Sequence, residues 1–319
     1  MEHSSTVQPL AANSPGETVS FRASVVIPTL DRPRHLLDCL EALSINFPSD
    51  AEVIVVSDGG DKNLFPDLGR YATPLNLKVI HAEHGGPAHA RNQGLKQVNS
   101  PIVVFVDDDC RPRETWLQNM IEAVSFDSSA AAGGKTINGL PDNIFSTASQ
   151  LVMDLLERDR LEQNYEPVFF PSNNLAFPTA LLRKIGGFDS QFRTSEDREL
   201  CRRWLQAGHR LVSVPDAVIL HVPKLNLASY WRKYSSYGEG AAQFHRSSWS
   251  DLRQNSLAFH LRLPGLAARE MAESRMHRRF TLFALLALWE LANLTGFVRG
   301  NLKLRKSLPS NRAAGGSPV

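Results

Sequence analysis

The chain has 319 residues, 42% hydrophobic and 21% charged, the balance of a globular α/β protein and not of a disordered or fibrous one. A formal net charge of +2 argues against a dedicated nucleic-acid binder, which needs a concentrated basic face. Three widely spaced cysteines, Cys39, Cys110 and Cys201, suggest neither disulfides nor a zinc site and fit a reducing, cytoplasmic compartment.

Residues 1–20 are rich in Ser, Pro and Ala and lack the apolar core of a signal peptide, so they read as a disordered tail; residues 307–319 read the same way. Ala23–Thr29 is the first strand, closed by Pro28, which cannot donate to a ladder. Asp31-Arg32-Pro33 opens a helix with Leu36, Leu37, Leu40 and Leu43 on one face. A second strand, Glu52–Val56, runs into Ser57-Asp58-Gly59-Gly60, either an ordinary loop or a tight turn that brings backbone close to a ligand. Leu77–His81 is a third, shorter strand. Beyond it Pro87 takes a first helical position, so the amides of Gly85 and Gly86 form a candidate anion site, with Arg91 one turn along.

The most informative stretch is the apolar run Ile102–Val106, which stops at Asp107-Asp108-Asp109. Such runs suit interior strands of a parallel sheet, and open α/β sheets bind ligands at the carboxyl ends of their strands. Alternation sends Asp107 and Asp109 one way and Asp108 the other. Two hard oxygen ligands on one side suit Mg²⁺ or Mn²⁺ carried by a phosphate; the bland alternative is a solvated strand end.

The order of strands and helices implies a parallel, doubly wound half. Trp116, Met120, Ile121 and Val124 mark a further helix, Ala130–Ile137 a strand, and Ile144–Leu161 another helix. Ser172–Phe177 is strand-like, with Asn173 and Asn174 able to hold sugar hydroxyls or merely to pair with backbone. Ile185–Asp189 is a turn with an outward-facing aromatic, Phe188. Thr194 and Asp197 have capping-box spacing ahead of a helix through Leu200 and Trp204 that Gly208 ends. Arg210–Val214 and Ala217–His221 read as two short strands.

The order of these pieces resembles the family 2 glycosyltransferases, which have the GT-A fold. The matching segments are Val25–Arg32, Val56–Gly60, Gly85 through Asn92, Phe105–Asp109, Asn173–Phe177, Ile185–Asp189 and Glu196–Leu200, within about residues 23–240. The resemblance implies an α/β GT-A domain over 21–240, with a nucleotide-binding half near 23–125, an acceptor half near 126–240, and a helical C-terminal extension over 241–306. It implies that Pro28, Thr29, Asp31, Arg32 and Asp58 line the base and ribose pocket, that Arg91 holds the diphosphate region together, and that Asp108 serves the ribose. Asp109, with Asp107 and His221, would hold Mn²⁺ or Mg²⁺. Asp197 would be the general base, supported by Glu196, and Asn173, Asn174, Gly187 and Phe188 would lie on the acceptor and sugar side. Asp31 stands where asparagine is common and Ser57 where a second acid is common, which bears on base selectivity. The implied partners are a nucleotide-diphosphate sugar, UDP-linked first among them, and a sugar, lipid-linked or other hydroxyl acceptor. The implied reaction is inverting transfer; the alternative is a non-catalytic nucleotide-sugar or glycan-binding protein on the same fold. A dinucleotide oxidoreductase would need Gly-x-Gly-x-x-Gly after the first strand, where Pro28-Thr29-Leu30-Asp31 stands instead.

Phe280–Val298 is the most apolar run, close to the ~30 Å hydrocarbon thickness as a helix. Glu290 and Asn293 interrupt it, and a central acid costs roughly 2.5–3.5 kcal/mol on insertion scales. With Arg275, His277, Arg278 and Arg279 before it and Arg299, Lys303, Arg305 and Lys306 after it, three readings stay open: an interfacial helix at the inner face of the plasma membrane, a helix packed on the catalytic domain or in a homodimer, and a span.

Overall fold

The computed structural model of the protein describes residues 6–9, 20–60, 68–247, 256–273 and 278–306. Strand β1 is Thr6–Pro9, β2 is Ala23–Thr29, β3 is Ala51–Asp58, β4 is Lys78–Ala82 and β5 is Ile102–Val106. β2, β3 and β5 are buried at every position. β3 lies parallel to β2 from Ala23↔Ala51 to Thr29↔Ser57, β5 lies parallel on the other side from Ala23↔Ile102 to Val26↔Phe105, and β4 extends the sheet beyond β3.

Unbroken apolar runs serve these strands because both faces are covered. Val25, Ile27, Val53, Val55 and Val104 pack on one side with helices α1 (Pro33–Ser44) and α3 (Trp116–Phe126). Val26, Ile54, Val56, Val103 and Phe105 pack on the other with α2 (Pro87–Gln97), α5 (Thr179–Lys184) and α6 (Glu196–Gln206).

The remaining strands are β6 (Cys110–Pro112), β7 (Ala130–Asn138), β8 (Asn174–Pro178) and β9 (Arg210–His221), and the nine-stranded sheet runs β1-β4-β3-β2-β5-β8-β7-β9-β6. From β2 the chain steps outward through β3 and β4, then returns to place β5 on the opposite side of β2. The order therefore reverses between β2 and β5, where open α/β sheets form their ligand crevice. Thr29–Arg32 and Asp107–Asp109 are the strand ends that flank it.

Three segments differ from expectation. Thr6–Pro9, inside the expected tail, pairs antiparallel with β4 and closes that edge; the rest of 1–19 and 307–319 lies outside the described residues. Arg210–His221 is one strand. Its pairing with β7 jumps from Gly134↔Val214 to Lys135↔Val218, and the bulge at 215–217, which contains Pro215, gives the appearance of two strands. β6 pairs antiparallel with the end of β9, matching Cys110 to His221.

A third core joins α4 (Ile144–Glu162), α7 (Leu227–Ser247), α8 (Ser256–Glu273) and α9 (Arg279–Lys306) through residues including Val152, Leu155, Tyr230, Leu263 and Trp289. Asn143 starts α4 by accepting from the amides of Phe145 and Ser146 at 3.1 and 3.0 Å. α9 packs one face inward through Leu282, Leu285, Leu286, Trp289 and Ala292, and Glu290 meets His260 Nδ1 at 2.8 Å. α7 and α9 approach so closely that a Cβ on Gly296 would sit 1.9 Å from the Ser235 carbonyl oxygen. Gly296→Leu is therefore expected to cost about 1–3 kcal/mol through overpacking and to lower the thermal midpoint; an unchanged midpoint would show that the helices have room to spare.

Candidate functional site

β5 ends at Val106, and the acids that follow form a turn closed by a bond from the Cys110 amide to the Asp107 carbonyl at 3.1 Å. Asp107 and Asp109 line one cleft, while Asp108 is fully buried beneath it. Its carboxylate accepts from Thr29 Oγ1 at 2.6 Å and pairs with Arg32 at 2.5 Å, so it is not presented to a ribose as the resemblance implied. It fixes the β2–α1 loop from below. Burial raises its pKa to about 7 against the pull of Arg32 and Thr29.

The β6–β9 pairing delivers His221 to Asp109, with Nε2 3.5 Å from Oδ1. The Val222 amide donates to the Asp109 carbonyl at 2.9 Å and the Gly139 amide to the His221 carbonyl at 2.8 Å, so both backbones are held. Ligand atoms of Asp109, Cys110 and His221 converge within 4.8 Å of one another. A carboxylate oxygen and an imidazole nitrogen fit a hard divalent ion, whereas the Cys110 thiol, its pKa pushed well up by burial, is the wrong donor for one. Burial works against the charge of Asp109, but His221, Arg32 and Lys233 together hold its pKa below the usual carboxylate range. Asp107, expected beside Asp109 as a ligand, has its carboxylate turned to Arg91.

Arg91 is the link between the two halves of the site. It is buried on α2 and donates from Nη2 to Asp107 at 2.7 Å and from Nη1 to Glu196 at 2.9 Å. Burial opposes its charge, yet Asp107 and Glu196 raise its pKa above the ordinary guanidinium value. The ring of Phe188 lies under the guanidinium at 5.5 Å. Asn92, next on α2, clamps the Phe188 backbone through its amide and carbonyl at 2.9 and 2.7 Å. Phe188 is thus buried, not outward-facing, and packs edge-on against Phe105. Gly187 has φ +67, and a Cβ there would fall 2.6 Å from Asn92 Oδ1. Phe188 supports Arg91 and Gly187 packs on Asn92, and neither residue is among those that line the cleft.

Glu196 and Asp197 open α6. The capping box does not form: Thr194 donates its hydroxyl to the Ser236 carbonyl of α7 at 2.9 Å, and the N-cap, Ser195, is left-handed with φ +67 and makes no side-chain cap bond. Asp197 accepts instead from the amides of Arg198 at 2.8 Å and Ser172 at 3.4 Å, and both acids line the cleft that holds Asp107, Asp109 and His221. Burial and the charge of Asp197 lift Glu196 to about 7 despite Arg91, and burial raises Asp197 as well.

Other expected residues divide. Asn173 lines the cleft, but Asn174 is buried, accepting from Trp116 Nε1 at 2.7 Å and donating to the Ala217 carbonyl at 3.2 Å, so its amide is spent on the core. The Gly85 and Gly86 amides do bind an anion, which is the Asp58 carboxylate at 2.8 and 2.9 Å. Asp58 is accordingly buried rather than open to a base. Pro28 is interior to the sheet, and Asp31, at φ +48, lies against Gly60. Lys233 and Tyr237 of α7 also line the cleft, and no motif had singled them out. Burial lowers the pKa of Lys233, against Asp109 and Asp107, the acids that act on it most strongly.

The profile of "Glycosyl transferase family 2" matches residues 24–186, just over half of the chain. The pre-mycofactocin glycosyltransferase of Mycobacterium tuberculosis is 29% identical over 229 residues, covering 69% of this chain and 46% of that protein. This chain therefore spans about half the length of that relative. Glycosyltransferase AglE of Haloferax volcanii is 25% identical over 224 residues, covering 69% of this chain and 73% of the relative. Among solved structures, the mannosyltransferase PcManGT of Pyrobaculum calidifontis, in complex with GDP-Man and Mn²⁺, superposes with a TM-score of 0.61 at 20% identity over 89% of this chain and 88% of that one. That likeness establishes a GT-A fold, and the profile match establishes the family: the chain belongs to glycosyl transferase family 2.

Proposed function

We propose that the protein transfers a sugar from a nucleoside-diphosphate donor to an acceptor hydroxyl with inversion, in a divalent-metal-dependent reaction with a carboxylate base. The observation that carries this reading is the Asp107–Arg91–Glu196 bridge, which brings the strand-end acids and the α6 acids into one cleft. The PcManGT complex with GDP-Man and Mn²⁺ supports a donor of this class.

In the proposed step the acceptor oxygen attacks the anomeric carbon from the face opposite the leaving group. The new C–O bond forms as the bond to the diphosphate breaks, the electron pair leaves with the diphosphate, and Asp197 takes the hydroxyl proton. When bound at Asp109 and His221, Mn²⁺ or Mg²⁺ supplies Lewis-acid stabilisation of the leaving charge. Lys233 adds positive charge on the same side, Thr29 and Arg32 hold the nucleotide side through Asp108, and Arg91 keeps Glu196 beside the base.

α9 adds a second element. Opposite its packed face, Phe280, Phe283, Leu291, Leu294, Val298 and Leu302 are exposed at helical spacing, with Arg278, Arg279, Arg299 and Arg305 exposed at the two ends. We infer peripheral attachment to an anionic membrane surface through this stripe.

Asp197→Asn is expected to lower turnover by ~10²–10⁴-fold while donor binding, read by thermal shift, persists; unchanged turnover would remove Asp197 as the base, and donor binding with no turnover in the wild type would favour a binding module. Because the base must be ionised and burial raises Asp197 above the ordinary carboxylate range, turnover should be lost as pH falls through that raised value. Asp109→Ala, or a chelator added to the wild type, should abolish Mn²⁺-dependent stabilisation by the donor, and an undiminished shift would remove the cation from the reaction. The protein should co-sediment with phosphatidylglycerol vesicles and lose that binding in Phe280→Glu/Phe283→Glu, whereas equal sedimentation of the two proteins would contradict attachment through α9.

A further inference from the structure

The arginines around the cleft are not equally occupied. Arg91 holds Asp107 and Glu196, and Arg32 holds Asp108. Arg203 of α6 holds both oxygens of Glu199 at 2.6 and 2.7 Å, together with the Ile185 and Gly187 carbonyls. Arg198 differs from all of these. It lines the cleft one residue beyond Asp197, and among the described residues no acid is hydrogen-bonded to its guanidinium. Asp197 accepts from the Arg198 backbone amide and not from its side chain. The half-buried guanidinium lies instead over the ring of Phe169, 4.9 Å from the centroid. A planar guanidinium resting on an aromatic face keeps its edge N–H donors for an oxyanion.

Arg202 repeats the arrangement one turn along. Positions four apart share a helix face, and the Arg202 guanidinium lies 5.3 Å from the Phe244 ring of α7. Glu199 stands 3.5 Å from its Nη2, but that carboxylate is already taken by the shorter contacts to Arg203. His245 follows Phe244, and burial together with the charges of Arg198 and His260 holds its pKa below the ordinary histidine value. The strand of chain carrying Phe169, the first turns of α6 and the end of α7 therefore meet where two guanidinium groups gather, and all of these residues line the cleft.

The charges also place this group within the cleft. Burial lowers the pKa of Arg198, and the acid that opposes the change is Asp197, whereas Asp109 and Asp107 act on Lys233. The arginine pair thus lies beyond the base, away from the cation site. A guanidinium held partly out of water without a matched acid is costly, and an incoming oxyanion supplies the match through charge-assisted, bidentate hydrogen bonds.

We propose that Arg198 and Arg202 form an oxyanion subsite for the acceptor: the alcohol that faces Asp197 belongs to a molecule that also carries a carboxylate or phosphate group, which the two guanidinium groups hold. The part played by Asp197 rests on the transferase reading, but the oxyanion subsite stands on the arginines themselves. They position the acceptor and select it by charge, since a neutral sugar leaves this end of the cleft unmatched.

Titration calorimetry on the full chain, without metal, compares methyl β-D-glucopyranoside with its 6-phosphate, with methyl β-D-glucuronide and with inorganic phosphate. Thermal shifts with UDP-, GDP- and dTDP-sugars plus Mn²⁺ are read on the same preparations. At least one charged glycoside should bind about tenfold or more tighter than the neutral one, and tighter than inorganic phosphate. Arg198→Gln/Arg202→Gln should erase that preference while keeping the donor-induced shift, and a cooperative melting transition reports that the variant is folded. Lys135→Gln, which removes a single charge from the β7 wall of the same cleft, should keep the full preference. Equal affinities for neutral and charged glycosides in the wild type, or a preference that survives in Arg198→Gln/Arg202→Gln, would overturn the proposal. Inorganic phosphate bound as tightly as the sugar phosphate would make this a site for a free anion and overturn the acceptor assignment. An arginine-dependent preference without any donor shift would strike the transferase reading and leave the oxyanion subsite standing.

Discussion

The site depends on one buried cation. Arg91 reaches the site from α2, taking an acid from the end of β5 with one nitrogen and an acid from the start of α6 with another. A buried guanidinium left without a partner costs roughly 3–5 kcal/mol, so the two acids hold Arg91 as firmly as it holds them. The link joins segments more than a hundred residues apart in the chain. It also sorts the carboxylates: with Asp107 and Glu196 engaged by Arg91, Asp109 meets His221 and Asp197 accepts from the backbone amides of Arg198 and Ser172.

The fold makes that arrangement natural. The reversal of strand order between β2 and β5 opens the crevice into which the strand-end acids project. The far wall is helical. α7 presses on the loop before α6 so tightly that a Cβ on Gly240 would meet Thr194 Oγ1 at 2.3 Å, and the Thr194 hydroxyl bonds to the α7 backbone. The same helix supplies Lys233 and Tyr237 and packs against α9. The C-terminal helices are thus part of the cleft as well as a cover for the sheet.

Much of this was legible in the sequence because buried parallel strands leave an unmistakable trace. The runs at 23–29, 51–58 and 102–106 had nowhere to go but the interior, and the acids after Val106 had to sit at a strand end. What escaped was side-chain partnership across long separations. Nothing near Asn174 announces that Trp116 and Ala217 will claim its amide, and nothing near Gly85 says that the anion before α2 will be Asp58. Phe188 looked outward because a glycine-rich turn precedes it; its burial follows from Asn92 and Phe105, which local pattern cannot supply. The apparent break in β9 was a bulge around Pro215, and a three-residue strand such as β6 has no periodicity to read.

The division of labour we propose is that Arg91 occupies two acids, leaving Asp109 with His221 for a cation and Asp197 for the alcohol. Anomalous diffraction from crystals grown with Mn²⁺ and UDP tests it most directly. The expected map shows one manganese peak in coordinating contact with Asp109 and His221, with Arg91 still bridging Asp107 and Glu196. A peak at Asp197, or bound UDP with no manganese at Asp109, would contradict it.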